Sequence, residues 1–199
     1  SGKLGWQWIQ MCPLQEKPHN RPPTIIEARC MTYLAVSRGI SGINYFAFHY
    51  MGKDWTWWVT DNPATYAQWA DLTAELKRLT PYLVSPKAPG EIKTEMTEGP
   101  EGGLYTSLRQ TETGYFLIAV NGATTPMKAR FTIPVPERKF APQAAVRSEN
   151  RLINVTDGVF EDSFEPLAVH LYELPFSTEG APDRNTINWP RWQRRPRGN

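Results

Sequence analysis

The chain has 199 residues and a formal net charge of +2, so its main body calls for no strongly charged partner. Two cysteines, Cys12 and Cys30, make no disulfide framework and no metal-ligand spacing. No run approaches the roughly 18 consecutive apolar residues of a membrane span. The composition is unusual in its eight tryptophans and eighteen prolines, which point to aromatic platforms and turn-rich β structure.

Leu4 to Met11 is the first predicted strand, with Trp6, Trp8 and Gln10 alternating with Gln7, Ile9 and Met11. A polar, proline-rich loop, Cys12 to Pro23, follows. Next comes a helix that Thr24 caps, with Glu27 in the position of a capping-box carboxylate and in reach of Arg21 or Arg29. Ile26, Cys30, Tyr33 and Leu34 mark its apolar side, Arg38 suits its last turn, and Gly39 ends it in the left-handed region. Ile43 to Phe48 is apolar on both faces apart from Asn44, which predicts a buried parallel strand ending at His49. Cys30 and Cys12 read as two buried free thiols, with a single disulfide as the alternative. His49 to Asn62 is predicted as a loop dense in aromatic and polar groups. Pro63 then opens a helix capped by Asp61 or Asn62, with Tyr66, Trp69, Leu72, Leu76 and Leu79 at helical spacing and a stop before Pro81.

The pattern changes around Tyr82 to Gly90. Beyond it, about eight short strand candidates, from Glu91–Thr97 to Leu167–Leu174, are separated by Gly, Pro, Asn and Asp. MKARFTI and AVHLYEL alternate as half-buried antiparallel strands do. The expected division is therefore residues 1–85, 86–176 as an antiparallel β-sandwich, and a Pro/Arg-rich tail, 177–199. That tail reads as solvated, or docked through Trp189 and Trp192, rather than as a nucleic-acid arm. The start Ser-Gly-Lys suggests a processed end, an engineered scar or a cut inside a longer protein.

A two-stranded parallel sheet cannot cover both of its faces, and a closed β8α8 barrel needs about 250 residues. The first third is therefore expected to borrow strands from an upstream part, another chain or further copies. RPPTIIEARCMTYLAVSRGISGINYFAF resembles the last helix–strand step of barrel glycoside hydrolases of the broad β-galactosidase-like and endoglycosidase-like superfamily. Members often read R-x-P-T-x-x-E-x-R, then Y-x-A, then G-x-x-G-x-x-Y-aromatic. WQWIQ resembles their seventh strand, WADLTAELKRLTPYL their last helix, and FEDSFEPLAVHLYEL the closing strands of the sandwich that follows. The resemblance covers Leu4 to Leu174. It implies an α/β plus all-β chain: the last two βα units of a (β/α)8 barrel followed by an antiparallel β-sandwich.

The implied function is that of a C-terminal fragment of a glycoside hydrolase. Such enzymes need two carboxyl groups flanking the scissile bond. In the resembling superfamily the acid comes from a middle strand outside this chain, and the nucleophile from the end of the seventh. Gln10 stands at that end, and an amide cannot serve as a carboxylate nucleophile. Weak catalytic candidates are Glu16, His49 and Asp54, each with a plainer role as a solvated loop acid or a core histidine. The aromatic set is the stronger signal: Trp8, Tyr50, Trp55 and Trp57 with Gln10 and His49 form the expected carbohydrate-binding group, indole faces stacking on sugar C–H faces. Asp54 is also placed to contact a sugar hydroxyl. No cofactor and no metal are expected. The expected partners are an oligo- or polysaccharide and the missing N-terminal barrel portion or another chain, with no nucleic acid and no membrane. A secreted or periplasmic location accompanies the glycosidase reading. The rival readings are a stand-alone carbohydrate-binding module and an assembly domain that docks its partial sheet on another chain.

Overall fold

The computed structural model describes residues 5–13, 21–51, 56–134 and 139–177. Glu16, Asp54, Trp55 and the tail beyond residue 177 lie outside the described residues. The described chain is mostly β-strand, with two α-helices.

β1 (Trp6–Gln10) and β2 (Gly42–Phe46) form a two-stranded parallel sheet, with α1 (Ile25–Ser37) as the crossover between them. The register sets Trp6 against Gly42, Trp8 against Asn44 and Gln10 against Phe46. Alternation then sorts the faces. Ile9 is buried under the helices, while Trp6 and Trp8 face outward. α1 begins as the residues require: Thr24 accepts from the Glu27 N–H, and Glu27 accepts from the Thr24 N–H at 2.7 Å. Arg21, rather than Arg29, grips Glu27 through two hydrogen bonds of 2.7 Å. Gly39 follows the helix with φ +82.

Four expectations for residues 1–85 change. First, β2 is half-buried, because only its helix side is covered. Second, residues 49–62 are not a plain loop. His49 begins a short hairpin, β3 (His49–Met51) with antiparallel β4 (Thr56–Trp58), followed by a 3-10 turn, Val59–Asp61. Third, α2 (Pro63–Leu83), capped by Asn62, continues through Pro81. The missing N–H leaves one carbonyl without its usual donor, but this falls in the last turn. There Val84 N–H still reaches Thr80, and Tyr82 stacks on Phe116 with ring centroids 4.7 Å apart. Fourth, Ile26 is exposed, and the buried side of α1 includes Arg29 and Thr32.

The remaining eight strands form two antiparallel sheets. They are β5 (Lys93–Glu98), β6 (Leu104–Gln110), β7 (Gly114–Asn121), β8 (Met127–Thr132), β9 (Gln143–Val146), β10 (Arg151–Asn154), β11 (Val159–Phe164) and β12 (Val169–Pro175). One sheet runs β10-β9-β12-β7-β6 and the other β11-β8-β5. Their facing sides share a core around Leu117, Phe131, Phe160 and Tyr172. β8 keeps the alternating burial of MKARFTI. β12 departs from the half-buried pattern and is covered on both sides: Val169 and Leu171 face the helices, and Tyr172 and Leu174 face the other sheet. β7 is buried along its whole length for the same reason. Phe116, Ile118 and Val120 pack with Cys30, Tyr33, Trp69 and Leu72, so the helical layer and the sheets share this second core.

Candidate carbohydrate-binding site

At the C-terminal ends of the two parallel strands, Trp8, Ile9, Gln10 and Phe46 line an open cavity of about 460 Å³. The register produces it. Gln10 and Phe46 are partners across the sheet, and Trp8 lies two residues back on the same face. The Trp8 and Phe46 rings meet edge to face at 5.9 Å and 69°. Both rings remain exposed, 62% for Trp8 and 40% for Phe46. Gln10 is partly fixed, because its Nε2 donates to the Cys12 carbonyl at 2.9 Å. None of the four lining residues is ionisable. The cavity can stack a flat apolar face and offer amide hydrogen bonds, but these side chains cannot transfer a proton.

Beyond it stands the hairpin. His49 and Trp58 are opposite each other in its register and stack at 4.4 Å and 17°, both exposed. The core-histidine role expected of His49 therefore does not apply, since its ring lies on an indole at the surface. Trp57 is turned the other way and packs partly buried against the core under the helices. The backbone of Tyr50 pairs with Trp57. Phe48 and Tyr66 add a further edge-to-face pair at 6.3 Å. The structure thus brings Trp8 and Gln10 together and sets His49 on a separate aromatic pair. Phe46 escaped the sequence reading, because its place opposite Gln10 depends on register.

A second cavity, about 490 Å³, adjoins at Gln10 and lies between α1 and the loops at Gly122 and Leu167. Among the described residues, Glu27 is the acid on its wall. Hydrogen bonds from Arg21, opposed by partial burial and helped by Thr24, bring its pKa down to about 2. Such a carboxylate is ionised at neutral pH and too weak a base for proton transfer there. Its role is to cap α1. Among the described residues no group of His, Cys, Asp and Glu could hold a metal ion, and no helix is long and apolar enough to cross a membrane.

No protein-family model and no curated protein sequence matches the chain. The structure is similar to solved glycoside hydrolases. An α-amylase from Geobacillus thermoleovorans, solved with acarbose, aligns at a TM-score of 0.54 and 11% identity, over 86% of this chain and 39% of that one. An Anoxybacillus α-amylase aligns at 0.50 and 14% identity, over 86% and 38%. A family 30 subfamily 8 xylanase from Clostridium acetobutylicum aligns at 0.45 and 16%, over 84% and 42%. The chain spans about two-fifths of the length of these enzymes. The two amylase likenesses reach 0.5, and at this identity they speak to the fold alone.

Proposed function

We propose that the chain is the C-terminal part of a glycoside hydrolase: the end of a (β/α)8 barrel and the β-sandwich that follows it. In this reading it supplies carbohydrate-binding residues at the barrel mouth and lacks a complete catalytic acid pair. The aromatic cavity at the C-terminal ends of two parallel strands, uncharged among the described residues, carries the reading, since barrel enzymes place their sites at that end. The architecture shared with the two amylases supports it. Trp8 is the stacking platform, with Phe46 as its side wall and Gln10 as the orienting amide. His49 on Trp58 extends the surface, while Trp57, packed against the core under the helices, drops out of the binding group. The ligand is an oligosaccharide, as acarbose is for the Geobacillus enzyme.

Calorimetric titration of this chain with xylo-, cello- and malto-oligosaccharides tests the proposal. Trp8→Ala is expected to weaken binding about tenfold or more, because it removes apolar contact worth over about 1 kcal/mol. Equal affinity in the variant overturns it. Hydrolysis of an aryl glycoside by the chain alone, abolished by changing one of its own acids, overturns the incomplete-site part.

A further inference from the structure

A further cavity, about 310 Å³, lies where the first turn of α1 meets two turns of the sandwich, one after β9 and one between β11 and β12. It shares no lining residue with the aromatic cavity. Ile26, exposed on α1, forms an apolar wall with Pro166 and Leu167. Both sandwich turns hold side chains in the left-handed region: Leu167 at φ 59, and Ser148 and Asn150, on either side of Glu149, at φ 67 and φ 47. Such angles are uncommon for residues other than glycine, and for a bulky leucine they store strain.

His170 decides what the cavity can hold. It is 9% exposed, and Phe164 stacks on its ring at 4.3 Å. Its Nδ1 lies 3.0 Å from Asp162 Oδ2, to which Arg151 and the Tyr172 hydroxyl donate at 2.6 Å. A carboxylate held by those donors can only accept, so the ring proton sits on Nδ1 and Nε2 keeps a lone pair. Among the described residues the hydrogen bonds of the ring all fall on Nδ1. Glu149 Oε1 lies 3.6 Å from Nε2, beyond hydrogen-bond range, and it too is an acceptor. Glu149 Oε2 is occupied by Arg151 Nε at 2.8 Å. Glu165, exposed on the same cavity, adds another acceptor. The arginines nearby are balanced. Arg29 is held by Glu75 and the Val169 carbonyl, and Arg151 by Asp162. The cavity therefore presents acceptors and negative charge, with no free donor to satisfy them among the described residues.

We infer that this cavity binds a small organic cation, a primary alkylammonium or alkylguanidinium ion, whose N–H groups bridge His170 Nε2, Glu149 and Glu165 and whose alkyl stem lies on Ile26, Pro166 and Leu167. A hydroxyl brings one donor, whereas an ammonium brings three and a guanidinium five. The charged donors also make the stronger hydrogen bonds to carboxylates. The volume stands at the small end of ligand sites, which suits one short cation. The inference does not depend on the sugar reading, since it uses a different cavity and a different chemistry.

Long-range proton–nitrogen spectra of the histidine rings, recorded at neutral pH, follow titration of the 199-residue chain with n-butylammonium and n-butylguanidinium. The His170 Nε2 signal is expected to move and saturate while that of His49 stays. Glu149→Gln, which keeps an acceptor for Arg151, should weaken binding about tenfold. Glu165→Gln, at an exposed position, should weaken it about threefold. Unchanged hydrogen exchange of the β7 amides shows that each variant is folded. Pentanol, which has no charge, and tetramethylammonium, which has no N–H, should leave Nε2 where it is. N-acetylarginine methylamide then separates the sources. Affinity equal to that of n-butylguanidinium assigns the site to arginine side chains, and weaker affinity assigns it to free amines and guanidines. No saturable movement of Nε2 overturns the inference. So does an equal response to pentanol or tetramethylammonium, or unchanged affinity in both glutamine variants.

Discussion

Arg29, Glu75 and Tyr33 show how single residues tie the molecule together. Arg29 Nη2 lies 2.9 Å from Glu75 Oε1, and Nη1 donates to the Val169 carbonyl at 2.7 Å. Tyr33 donates its hydroxyl to Glu75 at 2.8 Å. One buried guanidinium thus joins α1, α2 and β12. Burial and the neighbouring carboxylate hold the Tyr33 hydroxyl well above its ordinary range, so it stays a donor. Glu75→Ala leaves Arg29 buried without its counter-charge and should cost about 3–5 kcal/mol in urea unfolding. Asp162 is a second knot. Burial pushes its pKa up, but His170, Arg151 and Tyr172 outweigh burial and leave it well below the usual carboxylate range. A depressed folded pKa means stabilisation that is complete above the unfolded value, about 3.9, and lost as the pH falls below it. Glu27 acts in the same direction, its contribution draining between its ordinary range and about pH 2. Asp162→Asn should therefore flatten the acid limb of the stability profile below about pH 4, measured by urea titration at several pH values.

At the scale of elements, β7 and β12 carry the heaviest constraint. Gly114 pairs with Pro175 at the start of β7. A Cβ there would run into the Leu174 carbonyl oxygen and come within 2.7 Å of the Pro175 Cα, both backbone atoms that cannot swing aside. Gly114→Ala should cost about 1–3 kcal/mol and loosen this end of the pairing, seen as faster exchange of the β12 amides. Gly42 is different: its added Cβ would meet the exposed Trp6 ring at 2.8 Å, and that ring is free to move. The limits of β8 were readable within one residue from MKARFTI, because Pro126 and Pro134 bracket that alternating run. The hairpin after β2 was not, since strands of three residues leave no periodicity to read.

The whole molecule has two cores with β7 between them. Its odd side chains pack into the sheet pair and its even ones into the helical layer. The described tryptophans all precede residue 70, so their emission follows the helical layer, while far-UV circular dichroism follows the sheets as well. The two signals should give the same urea midpoint, and Ile118→Ala should lower both midpoints together, a loss of about 2–5 kcal/mol of unfolding free energy. The capped start of α1, its glycine stop, the alternation of WQWIQ and the eight later strands were determined by the sequence itself, because caps, turns and pleats act over a few neighbouring residues. The tertiary structure alone decided that Phe46 stands opposite Gln10, that Arg29 finds Glu75, and that β7 and β12 are dry on both sides. Those facts depend on register and on which layer covers which face, and no short stretch of chain carries that information.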